Sequence, residues 1–402
     1  MKTFIFYLFI SFLFLGCASR PPALPASHAN TLPWGAIDLD ITSKDGYSIR
    51  HSLGSVLTKK ADKYSSVKGR VPFNILTLTG GGSRGAFGTG LIAGWTQKGN
   101  IPNFDIVTGI STGAVMAPFV FLGKKELKKV EYFYTQMNTE EVFTNSWLHF
   151  FGYGYIMNAK PLKALFAKTF DKAFLNKIAK EHKNGRRLYI GTTNIDTGQL
   201  TVWDMGAIAA SDRIDKYQRF ADIIYASSAL PVYLPPQYMK VDINGHDYYQ
   251  MHIDGGIYSQ VFMIGLLVNW NEVLDFKESA NRDFDVTLYT IGNRKYRQRD
   301  IYKPVKQEPM SIIEAYVLTE MDLLYDRSVY RLYSSCKKKG FKFKMASIPE
   351  GMKNIIQDPT EFHPKEMKEL FKIGYHIGNT SINWKEKISF HEYDNKRYQV
   401  AK

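Results

Sequence analysis

The chain has 402 residues, is 45% hydrophobic and 14% aromatic, and sets 52 Lys and Arg against 38 Asp and Glu, a formal net charge of +14. That apolar content excludes a disordered chain and allows a large core in one to three domains. The basic excess suits anionic surfaces, but it lies in small clusters such as Lys124-Lys125 and Lys337–Lys339, without zinc spacing or a basic helix, which argues against nucleic-acid binding.

At the N-terminus Lys2 precedes the apolar run Phe4–Leu15, too short to span a bilayer and fitting a signal-peptide core. It ends in Leu15-Gly16-Cys17, which resembles the bacterial lipoprotein signal, with Phe14 where Leu is usual. The resemblance implies removal of residues 1–16, a lipid on Cys17 and anchorage in the cell envelope. Ala18 after the cysteine matches outer-membrane sorting. The alternative is an ordinary signal peptide with an incidental cysteine. With Cys17 lipidated, Cys336 is the remaining thiol and no intramolecular disulfide can form. Residues 17–36, with Pro21, Pro22, Pro25 and Pro33, read as a tether. Residues 37–70 read as a peripheral extension with weak strand signals over Tyr47–Val56.

The globular part begins at Val71. Asn74–Thr79 has the composition of a buried strand, and Gly80, Gly81, Gly82 and Gly85 follow it as a turn that presents N–H groups without Cβ obstruction. Gly85–Lys98 reads as a helix with Leu91, Ile92 and Trp95 on one face. A second strand, Phe104–Thr108, runs into Gly109-Ile110-Ser111-Thr112-Gly113, and the apolar helix Thr112–Leu122 and amphipathic Lys125–Met137 come next. Thr144–Phe170 is rich in aromatics, as a lid, an acyl-chain wall or simply core beneath a long loop. Helices are expected at Leu162–Phe170 and Lys172–Lys180, strands at Arg187–Asn194 and Gln199–Asp204, and a helix at Asp215–Ala226. A hairpin, Gln237–Val241 with Tyr248–Ile253, turns at Asn244-Gly245 and ends in Asp254-Gly255-Gly256. Ile264–Leu274 reads as a helix and Asp285–Ile291 as a strand. Strands alternating with helices argue a mostly parallel sheet covered on both faces over residues 71–300. Residues 301–402 are mainly helical (Ser311–Ser335, strand Phe341–Ile348, Pro364–Ile377) and read as a cap or a second small domain.

Gly-x-Ser-x-Gly between strand and helix is the pattern of a nucleophile elbow, and it sets Ser111 at a helix N-terminus where negative charge is favoured. A serine hydroxyl needs a base, and its oxyanion needs donors; the N–H groups of Gly81 and Gly82 are candidates. Among the histidines, His363, His376 and His391 sit at no strand-end turn. His252 alternates with Asp254 along a strand. Asp254 ends that strand before two glycines, and a carboxylate serves as a base once burial raises its proton affinity. Taken alone, Asp-Gly-Gly is a common turn signal and reads as structural.

The run GGGSRG at 80–85, GISTG at 109–113, ASSALPVYLPP at 226–236 and DGG at 254–256, in this order, resemble the patatin-like phospholipase family over roughly residues 72–295. The resemblance implies an α/β fold, a three-layer α/β/α sandwich. It implies a serine acyl hydrolase of phospholipid or lysophospholipid esters, without metal or cofactor. Ser111 matches the nucleophile, flanked by Gly109 and Gly113, and Asp254, with Gly255 and Gly256, matches the proton acceptor. Gly80, Gly81, Gly82, Arg84 and Gly85 match the oxyanion loop, where Arg84 would orient the loop or hold a phosphate. The chain departs from the family after the Asp turn, at Gln260, Val261 and Phe262. Two other readings compete. One takes Gly80, Gly82 and Gly85 as a dinucleotide fingerprint with Asp105 as the ribose ligand; the other is a non-catalytic lipid-binding or assembly lipoprotein that keeps the fold.

Overall fold

A computed structural model describes residues 20–40, 43, 48–145, 154–263, 283–296 and 304–388. Cys17, the helix expected at Ile264–Leu274, His391 and most of the aromatic run's first half lie outside the described residues.

Residues 20–36 do not hang as a tether. The Arg20 guanidinium forms a two-pronged ion pair with Asp196 (2.7 and 3.0 Å), Tyr249 N–H donates to Pro22 O, and Trp34 Nε1 donates to Asp215. The weak strand signal over Tyr47–Val56 gives way to helix α1 (Ile49–Lys63). Ser48 Oγ caps it by accepting from His51 N–H, and Ile49, Leu53, Val56 and Leu57 share one buried face at helical spacing. Packing thus overrides the β preference of Ile and Val. Nor is α1 peripheral: Lys60 pairs with Asp105 at 2.6 Å, and Ser52 Oγ bonds Tyr189 and Asp204.

The remaining elements follow as β1 (Val71–Leu78), α2 (Gly85–Lys98), β2 (Ile106–Gly109), α3 (Thr112–Leu122), α4 (Lys124–Gln136), α5 (Thr139–Val142), β3 (Thr144–Asn145), β4 (Met157–Asn158), α6 (Lys160–Thr169), α7 (Lys172–Lys183), β5 (Arg187–Asn194) and β6 (Gln199–Asp204). Then come α8 (Met205–Ala210), α9 (Lys216–Ser228), β7 (Gln237–Ile243), β8 (His246–Asp254), β9 (Phe284–Lys295), α10 (Pro309–Lys338), β10 (Lys342–Ile348) and α11 (Pro364–Asn379). The main sheet runs β10-β9-β1-β2-β5-β8-β7, with β6 also on β5. From β10 to β5 all pairs are parallel; β6, β8 and β7 join antiparallel. The central strand β1 shows why the sheet is buried on both faces. Leu76 and Leu78 enter the core with residues of α2, α3, α9 and α11, whereas Phe73 and Ile75 enter the core with residues of α1 and α10. The chain is therefore an α/β fold with a mixed, mostly parallel sheet and C-terminal helices.

The region after residue 300 is neither a cap nor a second domain. Strand β10 is the sheet's edge strand, with Phe343 opposite Leu288 and Met345 opposite Thr290. Helix α11 lies backbone-to-backbone on α2, because Gly90 and Gly94 meet the carbonyls of Phe371 and Tyr375 while Gly374 and Gly378 meet those of Phe87 and Leu91. Helix propensity alone would make Gly374→Ala stabilising by about 1 kcal/mol. Here the new methyl lands on Phe87 O, so we expect the opposite sign, a loss of about 2–3 kcal/mol in denaturant unfolding. A gain in stability would show that the helices separate freely. Among the described residues, no helix is long and apolar enough to cross a membrane.

Candidate active site

One edge of β5 is the key to the site. Strand β6 occupies the other edge along Tyr189–Asn194, so β2 and β8 must share this one. Strand β2 pairs in parallel up to Gly109 opposite Ile190, and β8 pairs antiparallel, from His252 opposite Asn194 to Asp254 opposite Thr192. The C-terminal ends of β2 and β8 therefore meet head-on beside Gly191. Ser111 follows one end and Asp254 closes the other. Across 143 positions of sequence, Ser111 Oγ donates to Asp254 Oδ2 at 2.6 Å.

The turn around Ser111 is tight enough to need its glycines. Ser111 itself holds φ 55° and ψ −124°, a strained backbone for a residue with a side chain. A Cβ on Gly109 would strike Gly113 O, and one on Gly113 would strike Leu78 O. Gly80 passes so close that its Cβ would sit 3.1 Å from that of Ser111. The turn is also latched: Ser111 N–H donates to Ser227 Oγ at 3.0 Å, and that hydroxyl donates to Gly191 O at 2.7 Å. Ser227 lies in the ASSALP run, and the sequence alone assigns it no role.

Of the glycine loop, Gly81 and Gly82 line the pocket in front of Ser111, and their N–H groups have no acceptor among the described residues. The loop is held from outside. Ser83 N–H donates to Pro359 O at 2.9 Å, Thr112 Oγ1 to Gly82 O at 2.9 Å, and Asn293 Nδ2 to Thr79 O at 2.9 Å. Gly85 lies hard against Thr112 and Tyr134. Arg84 turns to Ile356 O at 3.3 Å, tying the loop to the C-terminal segment, and is not among the pocket-lining residues.

Asp254 is 1% exposed, and this burial pushes its carboxyl up to about 6, against the opposing pull of the Ser111 hydroxyl, the Gly256 N–H at 2.7 Å and the charge of Arg294. Gly255 packs against Gly191 O. The departure from the family pattern is absorbed into this turn. Gln260 Nε2 donates to Gly256 O at 2.9 Å, Val261 and Phe262 are buried, and Phe262 O accepts from Thr108 Oγ1 at 2.8 Å. His252 bonds Thr192 and Gln250 rather than Ser111 or Asp254, and burial pushes it down to about 3, leaving a neutral core imidazole. His363 pairs with Glu361 at the surface. Asp105 is taken up by Lys60 and by Asn74 N–H, which removes it as a ribose ligand. Cys336 is buried in α10 with its thiol pushed up to about 12, an unreactive state.

Ser111 and Asp254 open into a narrow cavity of about 90 Å³. Its wall is apolar: Phe133, Phe143, Leu162 and Phe166 on one side, Leu318 and Met321 of α10 on another. The expected aromatic run thus contributes Phe166 to the wall, while Phe170 is core, packed on Phe119, Phe174 and Phe220. Among the described residues one cation faces this space, Arg294 at the end of β9, which sequence reasoning missed because no motif marks it. An activatable hydroxyl, a buried carboxylate raised toward neutrality and free N–H groups at an apolar cavity are together suited to acyl transfer on an ester with a hydrophobic acyl chain.

The chain is similar to known proteins over its central part. Patatin-12 of Solanum tuberosum is 23% identical over 219 residues, covering 50% of this chain and 53% of that protein. Patatin-like protein 2 of Arabidopsis thaliana is 26% identical over 204 residues, 46% of this chain and 49% of that protein. The chain thus spans about half the length of the curated relatives it matches. Among solved structures, VipD from Legionella pneumophila aligns with a TM-score of 0.37 at 12% identity over 76% of this chain and 66% of that one. Residues 76–266 match the family model described as patatin-like phospholipase.

Proposed function

We propose that this protein is a serine acyl hydrolase of lipid esters, working through a Ser111–Asp254 dyad. The observation that carries the reading is the 2.6 Å hydrogen bond from Ser111 Oγ to a buried carboxylate at the floor of an apolar cavity. Asp254 takes the hydroxyl proton as Oγ bonds to the ester carbonyl carbon. The N–H groups of Gly81 and Gly82 receive the oxyanion. Collapse breaks the bond to the alcohol oxygen, which leaves with the proton from Asp254, and the acyl group stays on Ser111. Water, losing a proton to Asp254, then bonds to the acyl carbon; collapse breaks the bond to Ser111 Oγ, which takes that proton back from Asp254 as the fatty acid leaves. The match of residues 76–266 to the patatin-like phospholipase family model supports phospholipid or lysophospholipid esters as substrates. We further propose a lipid on Cys17 that keeps the enzyme at the outer membrane of a bacterial envelope; mass spectrometry of the N-terminal peptide tests it.

The dyad is tested by labelling with a fluorophosphonate. Wild type should label and Ser111→Ala should not. A folded wild type that binds lipid but neither labels nor turns over an ester would favour the non-catalytic binding protein instead.

A further inference from the structure

Arg294 is 6% exposed and, among the described pocket-lining residues, is the one cationic side chain. It sits at the C-terminal end of a parallel strand, beside the strand whose own end leads into the Gly80–Gly85 loop. Its Nη1 donates to Asp322 of α10, whose side chain is about half exposed. Its Nε is buried and has no partner among the described residues. Burying a guanidinium with one donor unused is unfavourable, and an apolar acyl pocket has no need of a charge. Apolar packing explains the rest of the wall but not this residue. A planar fork of N–H donors suits the oxygens of a phosphate, and in a glycerophospholipid a phosphate lies on the same glycerol that the acyl chain esterifies.

We propose that Arg294 recognises the phosphate of the substrate and makes the pocket selective for phosphate-bearing lipid esters over neutral glycerides. The inference rests on the acyl-hydrolase reading and deepens it. Asp322 holds the guanidinium in the empty site, and the substrate phosphate takes its place or joins it at Nε. Arg294 is a binding residue here, while the acid–base work stays with Asp254.

The test compares kcat/KM for lysophosphatidylglycerol and for monoacylglycerol of the same acyl chain, both in neutral detergent micelles, using the full chain. Wild type should favour the phosphate-bearing ester by at least about tenfold. Arg294→Gln should erase that ratio mainly through KM, and Arg294→Lys should restore part of it. Should Arg294→Gln fail to fold, Asp322→Asn decides. With its competitor for the guanidinium gone, the ratio should rise several-fold, and an unchanged ratio would count against the proposal. Equal ratios in wild type and Arg294→Gln, with labelling of Ser111 intact, would overturn the inference while leaving the hydrolase reading in place. A wild type that does not label would defeat the hydrolase reading itself, and this inference with it. Protection of Ser111 from the fluorophosphonate by millimolar inorganic phosphate, in a wild type that shows no preference for the phosphate-bearing ester, would assign Arg294 to free phosphate and also overturn it.

Discussion

Ser111→Ala is expected to lower ester hydrolysis by a factor on the order of 10⁴–10⁶, with the melting temperature nearly unchanged. The size of the loss follows from the roles of the hydroxyl. It forms the covalent intermediate, and neither the Gly81–Gly82 donors nor the pocket can act as a nucleophile in its place. The fold should tolerate the change because the Ser111 backbone is held by its N–H to Ser227 Oγ and by the close-packed glycines at 80, 109 and 113, none of which depends on the hydroxyl. Ser111→Gly makes a sharper control. At φ 55° a glycine carries no Cβ strain, so that variant should be equally inactive yet more stable by about 1–2 kcal/mol. Steady-state assays with thermal melts read both quantities. Substantial activity in either variant would remove Ser111 from the mechanism.

Asp254→Asn is expected to cost about 10²–10⁴ in rate, since an amide cannot take the proton from Ser111. It should also stabilise the protein at neutral pH. The native state holds the Asp254 proton up to about pH 6, whereas an ordinary aspartate releases it near 3.8. Between those values the native state binds more protons than the unfolded chain, so this group withdraws stability as pH rises. Above both values the ionised, desolvated carboxylate costs on the order of 3 kcal/mol, which a neutral amide avoids. Chemical unfolding at pH 7 should therefore rank Asp254→Asn above wild type, with the gap closing toward pH 4. In the active enzyme the same shift sets the rate profile. Labelling by the fluorophosphonate should be about tenfold slower at pH 5 than at pH 8, with its midpoint near 6. A flat profile over that range would exclude Asp254 as the base.

The C-terminal region, beyond the matched family segment, contributes to the proposed site. Pro359 O anchors the glycine loop, Met321 and Leu318 wall the cavity, and α11 clamps α2 directly behind the loop. Truncation there would loosen the donors without touching Ser111.

What could be read from the sequence was whatever depends on neighbours a few positions away. Glycines at 80–85 and 109–113 announce turns because a Cβ is excluded there, whatever the rest of the chain does. Strand and helix periodicity placed β5, β6, α2 and α9 within a residue or two, and the hairpin turn at Asn244-Gly245 has the positive φ angles its composition demands. The identity of Ser111 and Asp254 as a candidate pair came from local motifs as well. Their contact did not: it exists because β2 and β8 divide one edge of β5, a matter of pairing between segments far apart in sequence. The same holds for the other surprises. Residues 49–63 become a helix because a sheet face was waiting to be covered, β10 joins the sheet because β9 has a free edge, and Arg294 reaches the cavity because of where its strand ends. Local sterics write turns and periods into a sequence. Edges, faces and buried charges belong to the assembled fold, since their energies depend on partners that only folding supplies.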